Sequence, residues 1–269
     1  INHNIYQHCA LKNSNDKPYL PSWGLDILDS KLNDTYYSFS DTNNDDILIM
    51  VLDSGVYPSH DEFDTNKIKS FIPDGNILTL EHGTQVASII SGKHYGISPG
   101  LITYSHNVCT AKTQDGNIGC SYSDALYGME LCLDKLKEYN KYDPNTDTIN
   151  IVKRGIINMS FSGRKSHIFD TVLKNINDYG GIIVSSAGND ASDACLRSPA
   201  ESVFTVTIGA FDSDLTKRDK SSYGECVDIY APGENIPTGT VNMDQYSKYY
   251  DTINEDLIDN KLYKTKSGT

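Results

Sequence analysis

The chain has 269 residues, 38% of them hydrophobic, with 23 Lys and Arg against 36 Asp and Glu, a net charge of −13 at pH 7. That is enough apolar material for a sizeable core, arranged as one large domain or two small ones. The acidic balance argues against nucleic acid or an anionic membrane as partner, and the absence of any apolar run of 18 residues argues against a membrane span.

The first residue is Ile1 and no signal peptide is visible, so an upstream piece is expected to have been removed or left out. The six cysteines (Cys9, Cys109, Cys120, Cys132, Cys195 and Cys226) form no C-x-x-C pair, which disfavours a zinc ribbon. Their even number suits disulfides in an oxidising compartment. Cys109 and Cys120 flank an Asp115-Gly116 turn and are expected to pair as a local loop. Asn33-Asp34-Thr35 is a glycosylation sequon in a polar stretch, which favours secretion. Asn158-Met159-Ser160 is a second sequon, but it lies in an apolar run and is expected to be inaccessible.

In chain order, residues 1–20 are polar and unpatterned and read as a loop or N-terminal extension. Ile47–Leu52 is a continuous apolar run, as in a strand buried on both faces. Val86, Ala87, Ile89 and Ile90 predict a short buried helix opened by Gly83-Thr84. Ser123 is the expected N-cap of a helix carrying Leu126, Met129, Cys132, Leu133 and Leu136. Residues 139–150 read as an exposed connection, and Gly155–Phe161 as a strand. Ile168, Phe169, Val172, Leu173 and Ile176 form the stripe of another helix. Strands follow at Ile182–Ser186 and Val203–Ala210, and residues 241–266 read as a flexible insertion. Short apolar runs alternating with amphipathic stretches predict an α/β fold with a parallel sheet.

Four short motifs carry candidate chemistry. Asp53-Ser54-Gly55 closes the first strand, where α/β folds place functional groups; alone it is also a turn signal. Glu81-His82-Gly83-Thr84 opens a helix, whose positive end favours the neutral imidazole that a general base requires. Asn158-Met159-Ser160-Phe161-Ser162-Gly163 ends a strand and offers an edge to an extended peptide. Ser185-Ser186-Ala187-Gly188-Asn189 ends another, placing an Asn amide where it can donate to an oxyanion. No Gly-x-Gly-x-x-Gly or phosphate loop follows a strand, which disfavours nucleotide binding.

In this order and spacing the motifs resemble the subtilisin family, and within it the proteinase K-like branch. The resemblance rests on Trp23-Gly24-Leu25, Asp53-Ser54-Gly55 with Ser59-His60-Asp61-Glu62-Phe63, and His82-Gly83-Thr84-Gln85-Val86-Ala87 with Tyr95-Gly96-Ile97-Ser98-Pro99. It continues through Ala187-Gly188-Asn189, Ser198-Pro199-Ala200, Ser222-Tyr223-Gly224 and Ala231-Pro232-Gly233. It implies a three-layer, doubly wound α/β fold with a mainly parallel sheet, C-terminally truncated. Residues 1–20 would be a propeptide remnant or N-terminal arm, and 21–269 an incomplete peptidase domain. The activity it implies is serine endopeptidase, with Asp53 and His82 in the triad and Asn189 in the oxyanion hole. The peptide would lie along Ile118-Gly119-Cys120 and Ser160-Phe161-Ser162-Gly163, beside Ala187 and Gly188.

Two departures matter. Ser162 stands where the family has a glycine bordering the P1 pocket, so its hydroxymethyl is expected to narrow that pocket. Lys266-Ser267-Gly268-Thr269 resembles the start of the family's Gly-Thr-Ser-Met-Ala block, so the nucleophile would follow Thr269; Ser267 sits two residues early. The alternative is a peptide-binding pseudoprotease. No cofactor is needed for the chemistry, although structural calcium is an expectation at Asp228 with carbonyls near Val203 and Thr205. The implied partners are a protein or peptide substrate and an inhibitory propeptide, and the implied location is the secretory pathway or outside the cell.

Overall fold

A computed structural model describes residues 5–7, 22–29, 38–40, 46–71, 80–112, 118–241 and 262–269. Seven parallel strands build one sheet: β1 (Ile47–Asp53), β2 (Ile68–Phe71), β3 (Thr103–Asn107), β4 (Arg154–Met159), β5 (Gly181–Ser186), β6 (Thr205–Phe211) and β7 (Ile229–Pro232). Their spatial order is β7-β6-β5-β4-β1-β3-β2. The chain winds outward from β1 on one side, returns past it, and continues through β4 on the other, so β1 lies at the reversal where such sheets form a crevice.

The sequence of β1 explains its place. Leu48, Met50 and Leu52 enter the main core with Met129, Cys132, Leu133 and Leu136 of α2 (Tyr122–Tyr139) and Val172, Leu173 and Ile176 of α3 (Asp170–Asp178). Each such buried side chain contributes about 1.5–3 kcal/mol from removal of apolar surface from water. The alternate residues Ile49 and Val51 face the other layer, where α1 (Leu80–Ser91) packs on β1 and β3. That face continues across the register pairs Ile156–Ile182, Val184–Val206 and Ile208–Ile229. There Ile182, Val206 and Ile229 are exposed.

Several elements differ from the sequence expectation. The buried face of α1 is mixed: Leu80 and Ala87 are buried together with Thr84, Gln85, Ser88 and Ser91, whereas Val86, Ile89 and Ile90 are half-buried. Hydrogen bonds dock this face, with Ser88 Oγ accepting the Gly239 N–H at 3.0 Å and Ser91 Oγ accepting from Thr103 Oγ1 at 2.9 Å. The N-cap of α2 is Ser121, which accepts the Asp124 N–H at 3.0 Å, two residues before the expected Ser123. Ile168 is exposed because it lies in a 3₁₀ turn ahead of α3, out of the helical register. Strand β4 stops at Met159, where its neighbours' pairing ends. Val203 is an exposed turn residue, so β6 starts at Thr205.

The connection at 139–150 contains an antiparallel hairpin, Lys141–Asp143 with Thr148–Asn150. Within the expected insertion at 241–266, residues 263–266 form β9 (Tyr263–Lys266), antiparallel to β8 (Ile236–Gly239); residues 242–261 lie outside the described residues. Ile5–Gln7 pairs with Ser38–Ser40, while the rest of 1–20, including Cys9, and the Asn33 sequon are likewise outside them. The Asn158 sequon lies in β4 between two strands, its Nδ2 donating to Ser160 Oγ at 3.0 Å.

Disulfides join Cys109 to Cys120 and Cys195 to Cys226, and Cys132 is buried as a free thiol. Burial pushes that thiol's pKa up, which leaves it inert as a nucleophile. Among the described residues no helix is long and apolar enough to cross a membrane.

Candidate active site

Strand β1 delivers Asp53 to its carboxyl end, where the side chain is 2% exposed. The next residue begins the docking of α1: Ser54 Oγ accepts the Gly83 N–H at 2.9 Å. Thr84 Oγ1 donates to Leu80 O at 2.6 Å and accepts the Tyr57 N–H at 2.9 Å. A Cβ on Gly83 would stand 2.1 Å from the Gly55 carbonyl oxygen, so only glycine allows this approach. The His-Gly-Thr triplet is thus a docking device. It places His82 Nδ1 2.8 Å from Asp53 Oδ1 and 3.0 Å from Oδ2, and Asp53 Oδ1 also accepts the Ser54 N–H at 2.6 Å.

The pairing fixes the tautomer: Nδ1–H faces the carboxylate, leaving Nε2 as the basic nitrogen. The His82 side chain is 58% exposed. Its pKa is raised from 6.5, first by the charge of Asp53 and then by their hydrogen bond, against burial and the charge of Lys266. The expectation that the helix terminus would favour the neutral ring is therefore corrected. A full charge in contact outweighs the roughly half charge of a helix end.

Both residues open onto a cleft of about 570 Å³. One wall is Gly119, Cys120 and Ser121; the other is Ser160, Phe161, Ser162 and Gly163. Gly119 follows Ile118 in a two-residue strand paired with Ala111–Lys112, and the Cys109–Cys120 disulfide pins this wall beside β3. Between the walls lie Tyr122, Ala125, Phe169 and Ser198. The Tyr122 and Phe169 rings stack at 5.5 Å, and the Tyr122 hydroxyl donates to Arg164 O at 2.6 Å. The sequence reading named Phe169 in a helix stripe and Ser198 in a family motif but placed none of the four at the cleft, since only the fold brings α2, the 3₁₀ turn before α3 and the short strand at Ser198 together.

Asn189 follows β5 on the exposed side. Its Oδ1 accepts from the Arg218 guanidinium at 3.0 Å, and Arg218 is itself paired with Glu234. Because arginine only donates, this contact turns the amide so that Nδ2 is available for donation. Arg218 lies in a charged loop with no motif to mark it. Gly188, at φ +108°, makes the turn before Asn189, and its N–H donates to Ser186 Oγ at 3.1 Å and Thr269 Oγ1 at 3.3 Å. Ser186 Oγ and Thr269 Oγ1 are 2.5 Å apart. A Cβ on Gly268 would lie 3.6 Å from Asn189 Nδ2, so the Gly268-Thr269 segment sits against Gly188-Asn189.

Ala187 does not line the cleft: it is fully buried with Ala194 and Ala200, and its N–H donates to Ile208 O at 2.9 Å. Gly188 and Asn189 also lie outside the cleft lining. Ser162 does line it, facing Gly188 across 3.6 Å from a Cβ built there. Ser267 Oγ is occupied as acceptor of the Asn235 N–H at 2.9 Å. Asp228 caps β6, its Oδ2 accepting the Thr207 N–H at 2.8 Å. Among the described residues no group of three or more His, Cys, Asp or Glu is arranged to hold a metal ion.

Comparisons with known proteins bear on the family and the fold. An extracellular serine proteinase of a Thermus species is 33% identical over 222 residues, covering 80% of this chain and 49% of that protein. A subtilisin-like protease of Arthroderma otae is 33% identical over 240 residues, covering 86% of this chain and 53% of that protein. The chain thus spans about half the length of the curated relatives it matches. The crystal structure of a cold-adapted subtilisin-like serine proteinase superposes with a TM-score of 0.65 at 25% identity, covering 91% of this chain and 78% of the other. The profile of the Subtilase family matches residues 44–269, and the chain belongs to that family.

Proposed function

We propose that the full-length protein is a secreted serine endopeptidase whose nucleophile is a serine directly after Thr269. The observation that carries this reading is the contact of His82 Nδ1 with Asp53 at 2.8 Å, at the end of a cleft walled by two backbone edges. In the proposed mechanism an extended peptide lies between the Gly119–Ser121 and Ser160–Gly163 edges as an added strand. His82 Nε2 takes the proton of the serine hydroxyl as it attacks the scissile carbonyl. Asp53 holds the ring and stabilises the imidazolium. Asn189 Nδ2 donates to the oxyanion of the tetrahedral intermediate. His82 then returns the proton to the departing amine, and water releases the acyl group by the same acid–base path.

The position of Thr269 against Gly188 supports this reading, since a residue following it starts from the neighbourhood of Asn189. The test is hydrolysis of a fluorogenic peptide by the full-length protein, together with labelling by a serine-directed fluorophosphonate. Turnover abolished by the label is expected. Binding of peptide without turnover or labelling would establish a pseudoprotease instead.

A further inference from the structure

Beside His82, one carboxylate oxygen gathers groups from three elements. Glu81 Oε1, in the first turn of α1, accepts from Gln85 Nε2 at 3.0 Å, Thr240 Oγ1 at 3.4 Å and Lys266 Nζ at 3.3 Å. Gln85 Nε2 also reaches Thr240 Oγ1 at 2.7 Å. Thr240 follows β8, and Lys266 ends β9 immediately before Ser267-Gly268-Thr269. Apart from His82, the charged residues lining the cleft are Asp53, Glu81 and Lys266. Glu81 and Lys266 are thus two opposite charges at the cleft mouth, one on the histidine's own helix and one on the strand leading to Thr269.

We propose that Glu81 and Lys266 are positioning residues for His82, fastening the Lys266–Thr269 segment to α1 and setting opposing fields on the imidazole. The proposal rests on the endopeptidase reading only in calling His82 a base. It requires no turnover. Glu81 favours the charged ring and Lys266 disfavours it, which accords with the opposite directions in which they move its pKa. Asp53 is the third charge facing the ring and is common to every variant below.

The experiment is an NMR titration of the His82 imidazole in the full-length protein, with its signal assigned by loss in H82A. At low salt E81Q lowers the midpoint and K266M raises it, each by about 0.3–0.5 of a pH unit, as befits partly exposed charges. If the protein is an active peptidase, the acid limb of kcat/KM moves the same way, about two- to threefold in rate at a fixed pH. In about 1 M salt, where screening acts over roughly 3 Å, both shifts collapse. Any outcome other than opposite shifts overturns the field. The fastening is read separately: amide exchange across Lys264–Gly268 quickens in E81A but not in E81Q, which keeps an acceptor oxygen. Equal exchange in wild type and E81A overturns it. An inactive full-length protein would sink the endopeptidase reading and leave both measurements standing.

Discussion

Gly83 lies so close to Gly55 that a Cβ added to it would stand 2.1 Å from the Gly55 carbonyl oxygen. The obstacle is backbone at the Asp53-Ser54-Gly55 turn, so a methyl there forces α1 outward and carries His82 with it. The substitution Gly83→Ala is expected to cost about 1–3 kcal/mol of stability, as overpacking does. In the proposed endopeptidase it should cost more than tenfold in kcat, because an ångström of misplacement at a reacting group is worth about 10²-fold. Thermal unfolding and peptide hydrolysis on the same sample check both; a variant with native activity would show that the helix can shift without moving the histidine.

The Asp53–His82 contact sets a pH dependence whose sign can be stated. His82 must be neutral to act as a base, and its pKa is raised from 6.5 chiefly by Asp53. Activity should therefore be lost as pH falls through a value above 6.5, and D53N should move that limb down while lowering kcat by roughly 10⁴-fold, the scale found for triad aspartates. For stability the sign is opposite. A folded-state pKa above the unfolded one means that the pair stabilises fully below the unfolded value and loses its contribution as pH rises through the folded one. Rate–pH profiles and unfolding at several pH values test the two halves independently.

The two disulfides close loops of different length, with sequence separations of 11 for Cys109–Cys120 and 31 for Cys195–Cys226. On a chain-entropy account their loss costs about 3 and about 4 kcal/mol. Only the first lies in the cleft wall. C109S/C120S should therefore also raise KM for peptides, whereas C195S/C226S should lower the melting temperature with KM unchanged. Peptide mapping without reductant checks the pairing, and free thiols at Cys109 and Cys120 would remove it.

The open sheet face gives a fourth expectation. Ile182, Val206 and Ile229 are exposed on strands of an all-parallel sheet, a type that is stable with both faces covered. Residues 1–269 should bind a dye that reports apolar surface, and I182K should weaken that binding. Binding unchanged in I182K would mean that the dye reports another surface.

Much of this was legible beforehand, for identifiable reasons. Ile47–Leu52 read as a central strand because an unbroken apolar run can satisfy both faces of a sheet. Asp53, His82 and Asn189 were singled out because each ends a strand or opens a helix, but it was the resemblance of the whole motif order to the subtilisins that gave them roles. What escaped was set by tertiary contact. More than half of the buried face of α1 is Thr84, Gln85, Ser88 and Ser91, polar residues that a periodicity search for apolar side chains passes over. Arg218 and Lys266 come from charged, unpatterned stretches, and only the fold brings them to Asn189 and Glu81. The raised pKa of His82 follows from a contact of 2.8 Å with Asp53, whose strength against the helix end depends on a distance that the sequence does not give.

The strand order also implies a sequence in time. Asp53 and His82 lie on β1 and α1, and the neighbour β3 is complete by Asn107. A chain emerging from the ribosome therefore holds the acid–base pair early. The second cleft wall, Ser160–Gly163, comes only after β4 has inserted beside β1, and Asn189 with its partner Arg218 comes later still. Pairings so distant along the chain form slowly. The growing chain thus brings Asp53 and His82 together before the second cleft wall, and Asn189 meets Arg218 only after both.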